Sequence, residues 1–472
     1  MSETLQKSDS LTDEKFSLIG EIIFVLLCTM LVVSTVAFGS VDVWALGLNA
    51  FFAGLVAVFW TVDALVKKEF RFNASLLQIP ILALILIGLI QLLPLRSLNF
   101  SADLLSVAAA NSLSLAPYVT RLAIVQLVIY FIFFAAAQTY ISNENRLRKI
   151  VVTIIGFASL MAFFGILQQL ASVESIYGLR TSDQAVPFAS FINRHHFASF
   201  MEMTMGLTLG LLFGKATRSN KRVFLVIAVV IMGMALVLTN SRGGMISLLA
   251  VVGFIVVVNV RQKPIDEPES ATEPVVSNRQ RNIIYIGGGL ILILVLFGAV
   301  LLLGGDESLL RGVGLSNPNE VSNGRFHFWQ IAWQIFLENP ILGAGLDSYG
   351  TIFPHYDSWN GILRIEQAHN DYLQTLADAG ILGFACVAAV IYLLFKKSQP
   401  IIGKASDRFG RGAATGAIAG CFGILVHSFF DFPLRTPSNA LFFLTLTVIA
   451  TNLLSPHKIS RKRRIHYART NL

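Results

Sequence analysis

The stretch "AHNDYLQTLADAGILGFACVAAVIYLLF" (Ala368–Phe395) opens with histidine, asparagine and aspartate and then runs into an apolar segment. About 20 mainly apolar residues in a helix suffice to cross the hydrocarbon core of a bilayer. The segment therefore reads as a membrane helix whose polar start lies at a membrane face. Asn370 or Asp371 can cap such a helix, since a short polar side chain accepts from the free amides of the first turn. Capping does not account for His369. Asp378, deeper in the same run, needs a polar partner on a neighbouring helix, because an isolated carboxylate in lipid is costly.

The same pattern recurs along the chain. Apolar runs centre on 18–38, 43–66, 75–93, 121–141, 150–171, 196–214, 222–239, 243–260, 283–304, 371–395, 411–430 and 437–454. They predict an all-α polytopic membrane protein of about twelve transmembrane helices. Composition agrees: 54% of the 472 residues are hydrophobic and only 14% charged, against about 25% charged in soluble domains. Mean hydropathy is +0.67. Cys28, Cys386 and Cys421 all fall in apolar runs without metal-ligand spacing and read as small core residues. The polar N-terminus has no signal-peptide pattern, so the first apolar run reads as a retained helix.

Loop charge sets an orientation, because Lys and Arg stay on the cytoplasmic side. Alternate loops, with both termini, carry 27 of the 36 Lys and Arg residues. The other nine are Arg96, Arg121, Arg180, Arg194, Arg242, Arg311, Arg325, Arg364 and Arg435. None is lysine. Only arginine offers a planar fork that grips phosphate or carboxylate oxygens in pairs, so this outer set hints at an anionic ligand. The alternative is anchoring of helix ends at lipid headgroups. The net charge of +8 reads as orientation charge and not as a nucleic-acid surface.

The expected organisation is a cytoplasmic tail (1–17), nine spans (18–304) with a Pro/Glu/Ser-rich cytoplasmic linker (261–282), an outer loop (305–370), three further spans (371–455) and a basic tail (456–472). Long outer loops are commonly functional. This one carries an amphipathic segment in which Trp329, Ala332, Trp333 and Phe336 recur at helical spacing, suited to the membrane surface.

Polar constellations on the outer side carry the chemistry. In "LTNSRGGMISLL" (Leu238–Leu249), Asn240 or Ser241 can cap the next helix and leave Arg242 in its first turn. In "SNGRFHFWQIAWQIFLENPILGAG" (Ser322–Gly345), Asn323 reads as the cap and Arg325 again falls in the first turn. A lone cation is disfavoured at the positive end of a helix dipole, whereas one anion held between two such arginines suits both. The alternative for Arg242 is a side chain that snorkels to the headgroups. His369 can act as general base near neutral pH or simply cap and pack. "FASFINRHHFASFMEM" (Phe188–Met203) clusters Arg194, His195 and His196, and Glu202 within the span needs a partner. The two adjacent histidines point about 100° apart on a helix, which argues against a metal site. In "HSFFDFPLRTPSN" (His427–Asn439), Asp431 and Arg435 read as an ion pair. No nucleotide-binding or hydrolase motif is present.

In order and spacing, "FINRHHFASFMEM", "SRGG", "GRFHFWQIAWQIFLENPILGAG", "AHNDYLQTLADAGILG" and "HSFFDFPLRTPSN" resemble the O-antigen ligase/polymerase superfamily over roughly residues 185–455. The resemblance implies a GT-C-type fold in the bacterial inner membrane, with both termini cytoplasmic and a periplasmic active site. It implies an inverting glycosyltransferase that needs no metal, nucleotide or other cofactor. The donor would be an undecaprenyl-pyrophosphate-linked glycan. The acceptor would be a lipid A core sugar or a second carrier-linked glycan, and other proteins of a polysaccharide assembly pathway are expected partners. Carried over by position, Arg242 and Arg325 would hold the pyrophosphate and His369 would activate the acceptor hydroxyl. Arg194, His195, His196, Asn370, Asp371 and Arg435 are candidate substrate contacts. The chain departs from the family at Arg194-His195, where a simpler asparagine-rich element is common. A competing reading is a flippase or transporter of lipid-linked glycans without chemistry. Carriers, however, place polar groups near mid-membrane, and here they cluster on one face.

Overall fold

A computed structural model describes residues 18–95, 111–262, 279–298, 324–358 and 365–452, apart from 174, 183–184, 218, 405–406 and scattered positions between 281 and 297. Its helices are α1 (Leu18–Val36), α2 (Val43–Lys67), α3 (Ile79–Gln91), α4 (Pro117–Tyr140), α5 (Glu144–Leu170), α6 (Arg194–Phe213), α7 (Ser219–Leu238) and α8 (Arg242–Arg261). After a gap follow α9 (Arg325–Glu338), α10 (Tyr349–Tyr356), α11 (Asp371–Lys404), α12 (Arg408–His427) and α13 (Pro437–Thr451). Eight of these are long and apolar enough to cross a membrane, and the apolar stretches Leu76–Gln91 and Pro437–Thr451 are shorter. The protein is an all-α polytopic membrane protein. Each expected run coincides with a helix except 283–304, which lies largely outside the described residues.

Side-chain caps fix where several helices begin. Asn143 accepts from the Arg146 amide, Asn193 from His195, Ser241 from Gly244 and Asp407 from Gly410. At the basic end of the bundle, Arg146 meets Glu21 at 3.2 Å and Lys397 Nζ donates to Ser75 Oγ. Arg148 lies over the Phe409 ring, 4.1 Å from its centroid. The polar residues singled out above stand at the other end.

The centre of the bundle is α6, buried from His196 to Leu211. Against it runs α12, antiparallel and at backbone contact. Gly206, Gly210 and Gly214 of α6 form a ladder at every fourth residue, and Gly420, Gly416 and Gly412 of α12 form the matching one. A Cβ on Gly210 would stand 2.3 Å from the backbone of Gly416, and one on Gly206 would stand 2.6 Å from that of Gly420. Lipid tails are as apolar as leucine, so helices in a bilayer associate through close packing, and glycine permits the closest approach. The ladder sets the register between Arg194–Glu202 at the start of α6 and His427 at the end of α12.

The expected span 371–395 is corrected in one respect: α11 is broken. Gly380 has φ 63 and ψ −163, which divides the helix into a polar first part and an apolar second part. Irregular backbone at membrane depth is tolerated only where protein satisfies it, and here the stretch Asn339–Ser348 does so. The Ile381 amide donates to Pro340 O at 2.9 Å, and the Ala344 amide donates to Ala377 O at 2.8 Å. Gln91 on α3 donates to the carbonyls of Asp378 and Leu342 and accepts from the Leu346 amide. The backbones touch: a Cβ on Gly343 would lie 2.3 Å from the Ala379 amide nitrogen, and one on Gly380 would lie 2.4 Å from Ile341 O. Both glycines have positive φ. Gly343→Ala and Gly380→Ala should therefore each cost about 2–6 kcal/mol, combining backbone strain with overpacking. Gly47→Ala and Gly54→Ala, with open space around them, should be neutral or better. Thermal unfolding of the purified variants in detergent checks the contrast.

Helix α9 packs inward through Phe328, Ile331, Ala332 and Ile335, which join Tyr349, Phe353, Ala368 and Ala377 in one cluster. Its outward row is Phe326, Trp333 and Leu337, each about half exposed or more. The expected stripe is thus displaced: Ala332 is on the buried face. The expected cap, Asn323, lies outside the described residues, and Gly324, with φ 76, occupies the cap position.

Candidate active site at the polar end of the bundle

Four segments converge at the polar end. The turn from α7 to α8 passes through Asn240 in the left-handed region (φ 51) to Ser241. Ser241 Oγ accepts from the Gly244 amide and lies 3.0 Å from His195 Nδ1. This leaves Arg242 as the first residue of α8. The glycine after it backs onto the α12 terminus, where a Cβ on Gly243 would stand 2.9 Å from His427 Nε2 and 3.4 Å from Phe430. Arg325 likewise opens α9.

The third segment carries His369. Its φ of 52 is uncommon for a side-chain-bearing residue and costs on the order of 1–3 kcal/mol, a strain characteristic of functional positions. Asn370 explains how it is held. Asn370 Oδ1 accepts from the amides of Tyr372 and Leu373, and its Nδ2 donates to Phe429 O. The expected cap of α11 is therefore Asn370, and the chain turns sharply just before it. The imidazole lies edge-on to Phe432 at 4.8 Å between centroids and near Phe328 at 6.0 Å.

The fourth segment supplies the partner. Asp431, 2% exposed, places Oδ1 3.1 Å from His369 Nδ1, and the His369 side chain is 28% exposed. Oδ2 of the same carboxylate is 3.9 Å from Arg325 Nη2. This is ion-pair distance, beyond a hydrogen bond. Asp431 itself is fixed by its amide, which donates to His427 O. Burial opposes its charge, but the hydrogen bond and charge of His369, helped by His195 and His196, hold its pKa well below the ordinary value. With Nδ1–H donating to a carboxylate, the basic nitrogen of His369 is Nε2. A partly exposed imidazole oriented by a buried carboxylate can take a proton from a hydroxyl.

The expected Asp431–Arg435 ion pair is replaced by two separate clusters. Arg435 reaches Asp347 at 2.9 Å and Asp378 at 2.8 Å, with Asp371 at 3.7 Å. Burial works against its charge, and Asp378, Asp347 and Asp371 more than offset it. Asp378 also accepts from the Tyr349 amide. This answers the question its depth raised, and it ties the broken helix to the start of α10. Asp371 accepts from Ser428 Oγ and the Leu434 amide. His196 is buried against Thr436 Oγ1 at 2.7 Å, behind Phe432. His196, Asn370, Asp371 and Arg435 are thus engaged with protein partners. Arg194 opens α6 at the rim, its amide donating to Val186 O. Glu202, which needs a partner within the span, pairs with His427, 3.1 Å away and equally inaccessible.

His369, Arg325 and Arg242 were legible as candidates. Asp431 was legible only as a charge. Its spacing to Arg435 suggested the wrong partner, because the turn at Phe432-Pro433 sends the two side chains apart. Residues 227–388 match a family model described as O-antigen ligase, which supports the superfamily resemblance. That range spans Arg242, Arg325 and His369 and stops before Asp431. No curated protein matches the chain.

Proposed function

We propose that this chain, an enzyme of the O-antigen ligase/polymerase type, transfers a glycan from undecaprenyl pyrophosphate to an acceptor hydroxyl on the periplasmic side of the bacterial inner membrane. The observation that carries the reading is the row Arg325–Asp431–His369: a cation, a buried carboxylate and a partly exposed imidazole, with the Arg242 turn packed on the segment that precedes Asp431.

The acceptor oxygen attacks the anomeric carbon while the bond from that carbon to the pyrophosphate oxygen breaks. The electron pair leaves with the pyrophosphate, and the hydroxyl proton passes to His369 Nε2. Direct displacement inverts the anomeric carbon. Asp431 orients the ring and stabilises the imidazolium that forms. Arg242 and Arg325, at two helix N-termini, stabilise the growing charge of the leaving group. Preorganised donors of this kind commonly supply the largest single share of rate enhancement. The acceptor is a lipid A core sugar, which makes the enzyme a ligase, or a second carrier-linked glycan, which makes it a polymerase.

Arg242→Ala and Arg325→Ala are expected to lower kcat/KM for a lipid-pyrophosphate donor by about a hundredfold each, the scale of losing a charge-assisted contact at about 2.7 kcal/mol. Protein abundance in the membrane should be unchanged. Steady-state kinetics with the purified variants provides the check, and near-normal kcat/KM in both would remove the pyrophosphate role.

A further inference from the structure

Glu202 and His427 form a pair that the transfer reaction as described does not use. Both are fully buried, and His427 Nδ1 lies 3.1 and 3.3 Å from the two carboxylate oxygens of Glu202. Ser199 Oγ is a third partner of Nδ1 at 3.0 Å, and it donates to His195 O. The glycine ladder between α6 and α12 sets this contact, since Glu202 stands one turn from Gly206 and His427 two turns from Gly420.

The ring's other edge faces the arginine turn. Nε2 and Cδ2 would stand 2.9 and 3.0 Å from a Cβ on Gly243, and the Nε2 atom has no hydrogen-bond partner among the described residues. On the far side of the same turn, a Cβ on Gly244 would stand 2.8 Å from that of Ala198. The two glycines of "SRGG" are thus required by close approach to His427 and α6. Meanwhile His427 O accepts from the amides of both Phe430 and Asp431. One residue therefore walls the Arg242 turn with its ring and anchors the Asp431 turn with its carbonyl.

We propose that His427, held by Glu202, is a positioning residue that fixes the Arg242 turn relative to the Asp431–His369 pair. It touches neither donor nor acceptor. The inference rests on the reading of Arg242 as a pyrophosphate-holding residue.

Removing His427 alone would strand a buried carboxylate, which is strongly destabilising. The test variant is Glu202→Gln/His427→Gln, which keeps a neutral hydrogen-bonded pair and removes the ring. Gly243→Ala is the complement: it leaves the pair in place and displaces the ring from the turn. The measurement is equilibrium binding of farnesyl pyrophosphate to full-length protein in nanodiscs, with unfolding temperature recorded in parallel. Both variants are expected to bind about tenfold more weakly or worse, equivalent to about 1.4 kcal/mol, and the double variant should keep an unfolding temperature near that of the parent. A folded double variant that binds as tightly as the parent overturns the proposal. Should the double variant fail to fold, parental binding by Gly243→Ala overturns it equally. Arg242→Ala separates the two readings: if it too binds normally, the pyrophosphate assignment has failed and the positioning role falls with it.

Discussion

His369→Ala is expected to lower glycan transfer by about a hundredfold to ten-thousandfold, the range a positioned general base contributes. Binding of the lipid-pyrophosphate donor should be nearly unchanged, because the imidazole serves the acceptor side. The loss would therefore fall on kcat, as expected for an interaction realised only in the transition state. Stability should fall, since an alanine at φ 52 keeps the strain and leaves the buried Asp431 carboxylate without its hydrogen-bond partner, so unfolding temperature is recorded alongside transfer. His369→Gln sharpens the result. Glutamine can still hydrogen-bond Asp431 but offers no basic nitrogen, so it should be about as inactive as alanine. An active glutamine variant would mean that the residue positions and does not accept the proton. The two variants, assayed for single-turnover transfer and for donor affinity, separate these roles.

Gly210→Val and Gly416→Val are expected to be the most damaging substitutions for folding. Each places side-chain carbon where the opposite backbone already lies, at 2.3 Å for Gly210 and 2.6 Å for Gly416. Neither neighbour is the far end of a flexible side chain, so α6 and α12 must separate. The cost should reach or exceed about 3 kcal/mol, the upper part of the usual overpacking range. That is a large share of a total stability of about 5–15 kcal/mol. Separation would also pull His427 from Glu202 and leave two buried polar groups without their partner. Gly156→Val and Gly253→Val, on α5 and α8 with nothing within 4 Å, should fold with little loss. Fluorescence-detected size-exclusion profiles of the four variants give the comparison directly.

Hydropathy made the helices legible because a lipid environment imposes one simple demand, an apolar run long enough to cross. It could not show the break at Gly380, since the polar start passes into the apolar run with no proline to mark a break. The break is specified by a distant segment, Asn339–Ser348, whose backbone supplies the missing hydrogen bonds. The glycine ladders were written in the sequence at every fourth position, yet each becomes a signal only when paired with the other across some 200 residues. Arg242 and Arg325 were legible because a cation in the first turn of a helix violates a local rule, and His369 because capping left it unexplained. Asp431 obeyed a local rule, a partner four residues on, and so its contact with His369 was hidden. Glu202 announced that it needed a partner, but only the packing of α6 against α12 could supply His427.

On the proposed reading this protein makes a covalent bond and does not merely carry its substrate across. The most direct measurement is reconstitution of the purified protein into vesicles holding only an undecaprenyl-pyrophosphate-linked glycan and an acceptor glycolipid, followed by mass analysis of the lipids. The predicted result is a new acceptor–glycan conjugate with inverted anomeric configuration and free undecaprenyl pyrophosphate in equal amount, absent with His369→Ala. Translocation of the intact donor with no conjugate formed would contradict it.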